Sequence, residues 1–447
     1  MNMHHCKISR RIKYFAPALV LSIACSVSAS TLYVANDGVD QSTCGVRRDI
    51  ACLTIQFTID NRAVAGDLIL VEAGTYSELI TIDKNLTLRG PERDQAAIDG
   101  INSGTVVTIP SGVTASLESL TIRNGFSAPG GPTFATAGIN NGGTLSLIRT
   151  VVSGNNLNPP ETVFIPAAGG ILNLGTLTIS HSSVVSNTAT NACSTTGGVL
   201  NYFGTTTVDH SLIADNTASS GFACDFGPST VPLASGYFNL FGTSVVNTTT
   251  FWKNGIAVIG SLTLNRSTIS YSDGDGILNG GNVTLVNSTI YGSTAAGIAN
   301  ESGELTGILV MNNSTVANNN GDGVDLGLGL FSRISNSILA GNAGVECSGE
   351  FISGDYNLIQ NFTGCGLVGG GHDLTNVAAD LRKLGDYGGP TQTVDLMHDS
   401  PAINGGNPAG CTDSLGNLLL IDQRGFPRPE PSVGRCDIGA VQVERLQ

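Results

Sequence analysis

Between Leu117 and Leu339 the chain is written in short runs that alternate apolar and polar residues, such as Leu177-Thr-Ile179, Leu262-Thr-Leu264 and Val283-Thr-Leu285. Alternation of period two with β-branched residues predicts strands buried on one face, and the Gly and Asn between them predict turns. A Gly step precedes many runs, as at Gly170-Ile171, Gly198-Val199, Gly255-Ile256, Gly276-Ile277 and Gly297-Ile298. A small hydroxyl residue follows them at Ser119, Thr150, Ser182, Ser211, Ser267, Ser288, Ser314 and Ser337. Five residues on stand Asn124, Asn155, Asn187, Asn216, Ser272, Ser293, Asn319 and Asn342. An apolar residue sits two after most hydroxyls, at Val152, Val184, Ile213, Ile269, Ile290, Val316 and Leu339. In the first copy it is Ile122, one place late. One interval between hydroxyls is twice the usual length, and Thr249, Phe251 and Asn254 supply a copy inside it.

A period of roughly 20–30 residues, holding several strands and no helical pattern, predicts the coils of a parallel β-solenoid. Successive coils would stack about 4.8 Å apart. The hydroxyl and Asn positions then become columns along the axis, where Asn bonds to its neighbours and tolerates a left-handed backbone. These columns are expected to be scaffold. Ahead of the coils, Cys52 to Val64 reads as a short helix with Ile55, Ile59 and Val64 on one face, placed to cover the open end of the solenoid.

Composition agrees. Only 13% of residues are charged and 58 of 447 are Gly, which suits stacked strands with many turns. The first 29 residues read as a secretory leader: Lys7, Arg10, Arg11 and Lys13, then the apolar run Tyr14 to Ala24, then Val27-Ser28-Ala29. Its removal takes basic charge only, so the exported chain is more acidic than the formal −14 of the whole. Such a surface disfavours nucleic acid and anionic membranes. No later apolar run is long enough to span a bilayer. An extracellular, cell-surface or periplasmic monomer is expected.

Export makes disulfides the expected use of the remaining cysteines. They fall into local pairs, Cys44 with Cys52, Cys193 with Cys224, Cys347 with Cys365 and Cys411 with Cys436. No spacing suits a metal, and no cofactor is expected.

The run GDLILVEAGTYSELITIDKNLTLRG, from Gly66 to Gly90, resembles the opening coil of right-handed parallel β-helix proteins of the pectin-lyase-like superfamily. From residue 345 proline rises and the period is lost. There CSGEFISGDYNLI, LGDYGGPTQT, DSPAINGGNPAGCTD, DQRGFPRP and CDIGA resemble, in order, the C-terminal region of bacterial choice-of-anchor Q domain proteins. Asn404 stands where that family usually has Asp, and Val441 where it usually has Phe. The expected architecture is therefore all-β: leader 1–29, a right-handed parallel β-helix over 30–344 and an irregular choice-of-anchor Q-like region over 345–447.

The fold hosts many functions, so activity must be read from side chains. Lyase chemistry needs a positioned base. Between residues 101 and 380 the basic side chains, His apart, are Arg123, Arg149, Lys253, Arg266 and Arg333. The motifs of polygalacturonase-type hydrolases are absent, and Asp273 with Asp275, or Asp322 with Asp325, read as turn residues beside Gly. No catalytic residue is assigned. One column is less bland. The residues just before the hydroxyls read Glu118, Arg149, His181, His210, Arg266, Asn287, Asn313 and Asn336. Alternation turns them outward, His181 stacks on His210 and Asp209 stands beside the second. Arg149, His181, Asp209, His210 and Arg266 are the candidate ligand-binding residues. Aromatic residues near the inserts (Phe126, Phe134, Phe164, Tyr202, Phe203, Phe222, Phe226 and Trp252) suit glycan stacking or simple packing. The reading is a non-catalytic exported module that binds a glycan or builds a surface. The rival is a lyase or hydrolase acting on an acidic polysaccharide.

Overall fold

The computed structural model describes residues 29–126, 135–158, 167–190, 195–219, 235–300, 307–327, 331–429 and 434–443. Its strands stack coil upon coil. A middle coil shows the plan. A five-residue strand, Thr176–Ser180, forms a long face, Ser183–Val185 a short face, and the next coil's Val199–Tyr202 a third face. Thr176–Ser180 pairs in parallel with Thr144–Ile148 before it and Thr205–Asp209 after it, and the short face repeats the arrangement. Alternation works as expected: Leu177 and Ile179 are buried in the shared core while Thr178 and Ser180 point outward. One apolar cluster runs from Leu32 to Ile359 through the coils.

Ladders hold the bends. The backbone N–H of Thr150 donates to Ser182 Oγ (3.0 Å), that of Ser182 to Ser211 Oγ (3.1 Å), and that of Ser211 to Thr249 Oγ1 (3.3 Å). At the next bend, Asn155 Nδ2 donates to Asn187 Oδ1, Asn187 to Asn216 and Asn216 to Asn254, all within 3.0 Å. Each amide is buried, so the ladder satisfies groups that would otherwise cost about 1–3 kcal/mol each. A second amide ladder, Asn141 to Asn173 to Asn201 to Asn239, lines the end of the third face and was not anticipated.

The structure corrects four details. Thr121 pairs with Val151 and Glu118 with Ile148, so Ser119 lies opposite Arg149, not Thr150. The first copy is displaced by one residue: Leu120 occupies the hydroxyl column, Gly125 the Asn column, and Ser119 replaces Glu118 in the outward stripe. Second, the left-handed residue at the Asn bend is the one before the amide, as at Ser186 (φ 55) and Asp215 (φ 50); Asn187 and Asn216 themselves have ordinary backbone. Third, the helix spans only Ile55–Asn61; Ile55 and Ile59 are buried, while Val64 lies beyond it and is exposed. Thr54 caps it by accepting from Phe57 N. Fourth, parallel pairing runs on past residue 345, through Cys347–Ser353 and Leu358–Ile359 to Leu374–Thr375.

After that the chain leaves the coil. Leu381–Gly385 and Thr393–Leu396 form an antiparallel pair, and the segment up to Val443 folds back as a lobe on the later coils. Its small core joins Leu396, Ala402, Ile438 and Val441 to Ile338 and Leu358 of the solenoid. Disulfides join Cys44 to Cys52, Cys347 to Cys365 and Cys411 to Cys436. Cys193 and Cys224 lie outside the described residues, as do positions 1–28 of the leader. No described helix is long and apolar enough to cross a membrane.

Candidate functional site

The stripe lies at the corner between the long and short faces. Every residue of it has a left-handed backbone: Ser119 (φ 54), Arg149 (51), His181 (51), His210 (44), Thr248 (51), Arg266 (46), Asn287 (46), Asn313 (49) and Asn336 (48). The cause is local. A chain turning sharply between two strands in one residue needs φ > 0, and the side chain is thereby thrown out of the coil. For a residue that is neither Gly nor Asn this costs roughly 1–2 kcal/mol. Thr248, which follows from the Thr249 copy, was missed because that copy was read only as filling a gap.

Side chains in the corner meet those of the coil before. Arg149 Nε donates to Ser119 Oγ (3.4 Å), and an Arg266 terminal nitrogen to Thr248 Oγ1 (3.2 Å). The rings of His181 and His210 stack in parallel, with centroids 5.1 Å apart and planes 4° from parallel. Asp209 ends a long-face strand, and its Oδ2 lies 2.9 Å from His210 Nδ1. Ser180 Oγ stands likewise 2.9 Å from His181 Nδ1. Arg149, His181 and His210 are exposed, and Asp209 and Arg266 are half-buried. Structure thus brings four of the five predicted residues, Arg149, His181, Asp209 and His210, together on consecutive coils. Arg266 is set apart by buried Thr248.

Asn287, Asn313 and Asn336 continue the same corner but are buried by the C-terminal lobe. Arg428 donates to Asn287 Oδ1 (2.8 Å) while Asn287 Nδ2 donates to the carbonyl of Ile421 (2.9 Å). Asn313 Nδ2 reaches the carbonyl of Thr412 (2.7 Å), and Asn336 Nδ2 that of Asp437 (2.9 Å). Burial presses the Arg428 guanidinium down to about 10 and pushes the Asp437 carboxyl above its usual range. The outward column is therefore covered by protein over its later half.

Three of the four candidate carboxylates bond the next coil. Asp275 Oδ1 accepts from Ala296 N (2.9 Å), Asp322 Oδ1 from Val345 N (3.0 Å) and Asp325 Oδ1 from Ser348 Oγ (2.6 Å), each on the next coil. Among the described residues one cluster has metal-ligand types, Asp40 with Cys44 and Cys52, and its two sulfurs are bonded to each other. Of the aromatic residues, Tyr202 and Phe203 pack with Phe241, and Trp252 lies under the Lys253 ammonium (3.9 Å), itself 3.3 Å from Asp215. Phe134, Phe164, Phe222 and Phe226 lie outside the described residues.

No family model matches the chain, and no curated protein matches its sequence. Solved structures do. Pectate lyase Pel9A superposes with a TM-score of 0.52, covering 94% of this chain and 98% of its own at 13% identity. The fold is a right-handed parallel β-helix. Looser likenesses are the PL6 family alginate lyase AlyGC (TM-score 0.44, 11% identity, 87% of this chain and 58% of that one) and XylC in complex with xylose (0.43, 9%, 93% and 99%). At such identity the likeness concerns the path of the backbone, and the residues at the corner of this β-helix must be judged on their own chemistry.

Proposed function

We propose that this β-helix is exported and binds an acidic glycan along the open corner, without cleaving it. The observation that carries the reading is the stacked pair His181 and His210 between Arg149 and Arg266, on an otherwise acidic protein. Coils rise about 4.8 Å each, so Arg149, His181 and His210 present cationic or protonatable groups about 5 Å apart, close to the spacing of successive sugar units in an extended chain. Arg recognises a carboxylate through two parallel donors, and His charges in the physiological range. Such a row stands at a backbone cost, which points to use rather than stability. The leader, the three described disulfides and the fold's carbohydrate-active neighbours support export and a saccharide partner. The choice-of-anchor Q resemblance of the C-terminal region supports a cell-surface setting.

A second reading rests on Asp209. A carboxylate 2.9 Å from His210 Nδ1 orients the ring so that Nε2 can serve as a base, the arrangement of a hydrolytic or eliminating enzyme. Both readings answer to one experiment. The chain from Ser30 onward is titrated with polygalacturonate, alginate and a neutral glucan, with and without calcium, following binding and new unsaturated or reducing ends. Binding to the acidic polymers that weakens with salt and with the double variant His181→Ala, His210→Ala is expected. Turnover abolished by that variant would replace the binding reading with the enzymatic one.

A further inference from the structure

A cavity of about 360 Å³ lies between the outer long face of the last coils and the lobe, far along the chain from the exposed histidines. Its floor is made by Val310 and Asn312 of one strand and Arg333 and Ser335 of the next, and its roof by the lobe turn from Thr412 to Gly416. Gly354 and Asp355 close one end. Volumes of this order hold small ligands.

The donors and acceptors of the wall are unequally engaged. Asp355 is committed: Oδ1 accepts from the backbone of His372 (2.7 Å) and Tyr356 (3.1 Å), and Oδ2 faces His372 Nδ1 (2.6 Å). Asp413 likewise takes the backbone N–H groups of Leu415 and Asn417 and the Asn417 side chain, all within 3.0 Å. Hydrogen bonding holds both carboxyls below the ordinary range, against their desolvation. Asn312 is 4% exposed, and its Nδ2, though without a hydrogen-bond partner, is sealed beneath the floor. By contrast, the exposed side chain of Arg333 makes no hydrogen bond or ion pair with any described residue, its backbone alone being held in the ladder. One free donor therefore shares the cavity with two carboxylates whose Oδ2 atoms keep an unused lone pair.

That chemistry selects its occupant. Two carboxylates against one guanidinium disfavour a phosphate or uronate. The adjacent Arg333 guanidinium disfavours a divalent cation. The wall has little apolar surface beyond Val310 and Leu415, which disfavours a lipid tail. Hydroxyl groups both accept and donate, so they can take from Arg333 and give to Asp355, Asp413 and Ser335. We infer that this cavity is a binding site for a single neutral sugar unit, free or at the end of a glycan. It is independent of the corner site in residues and in ligand charge.

The test uses the full chain from Ser30 onward. Glucose, galactose, mannose and N-acetylglucosamine, each free and as a β-linked disaccharide, and free glucuronate are titrated by calorimetry and by saturation-transfer NMR. At least one should bind saturably. Arg333→Ala should weaken it tenfold or more, while His181→Ala with His210→Ala leaves it within twofold. Preference for the disaccharide over the free sugar identifies a chain end as the source, and equal binding a free sugar. Arg333 is exposed, so its variant should fold, and an unchanged melting curve confirms that. No saturable binding by any of these sugars, binding indifferent to Arg333→Ala, or preference for glucuronate over glucose would overturn the inference.

Discussion

The corner of the coil exists in two states within one molecule. On the earlier coils it carries Arg149, His181 and His210, exposed and touching mainly each other and the coil before. On the later coils the same left-handed position carries Asn287, Asn313 and Asn336, buried under the lobe. Backbone geometry is shared, so the difference lies in what each side chain must satisfy. Under the lobe a short amide can give and take a hydrogen bond at once, and Asn pays least for φ > 0. In the open a long cationic or aromatic group has water on one side and no partner to match. One repeat thus yields an interface where it is covered and a candidate binding row where it is not. The lobe's motif residues fit the same account: Gln423 and Arg428 reach the coil surface, Asp422 holds Arg424 at 2.9 Å, and Gly439 (φ 96) leaves no room for a Cβ beside Ile338 and Thr315.

The contrast should be most visible in stability. Arg428→Ala leaves Asn287 Oδ1 and the Gly439 carbonyl without their donor, takes one of two donors from the Asp437 carbonyl and removes the cation near the Asp437 carboxyl, and should cost about 3–5 kcal/mol in the unfolding transition. Next, Asn336→Leu removes bonds to Asn313 and to the lobe and should cost about 1–3 kcal/mol by denaturant melts. His181→Ala, at the equivalent open position, should stay within about 0.5 kcal/mol; a loss as large as that of Asn336→Leu would erase the distinction. Arg149→Gly should go the other way and raise stability by about 1 kcal/mol, since it relieves the left-handed backbone, while weakening retention on immobilised polygalacturonate. The smallest effect is a slope. Burial raises the Asp437 carboxyl in the folded state, so its contribution is fully present below the ordinary carboxylate range and is lost as pH rises through the raised value. Melting temperatures from pH 4 to 7 should therefore shift in favour of Asp437→Asn as pH rises. A flat difference would mean that the carboxyl is not raised in the folded state.

The sequence by itself determined the coil, because strand alternation and the ladder residues are local signals repeated at a fixed period. Val152, Val184 and Ile213 announce the core, and Asn187 and Asn216 announce the bend. The same periodicity put His181 upon His210 and Asp209 beside them. The first copy slipped because Ser119 and Asn124, a hydroxyl and an amide five apart, both stand one place early; Ile122 kept the true register, and strand pairing shows that Leu120 stands in the ladder column. The helix ended sooner than its apolar spacing suggested, because Val64 has nothing to pack against once the chain turns away at Arg62. Tertiary structure alone decided which half of the corner is open. The lobe meets it through residues more than 70 positions away along the chain, such as Arg428 on Asn287 and Asn407 on Asn336. A repeat specifies where a side chain points, but long-range docking specifies whether water or protein receives it, and no local pattern carries that information.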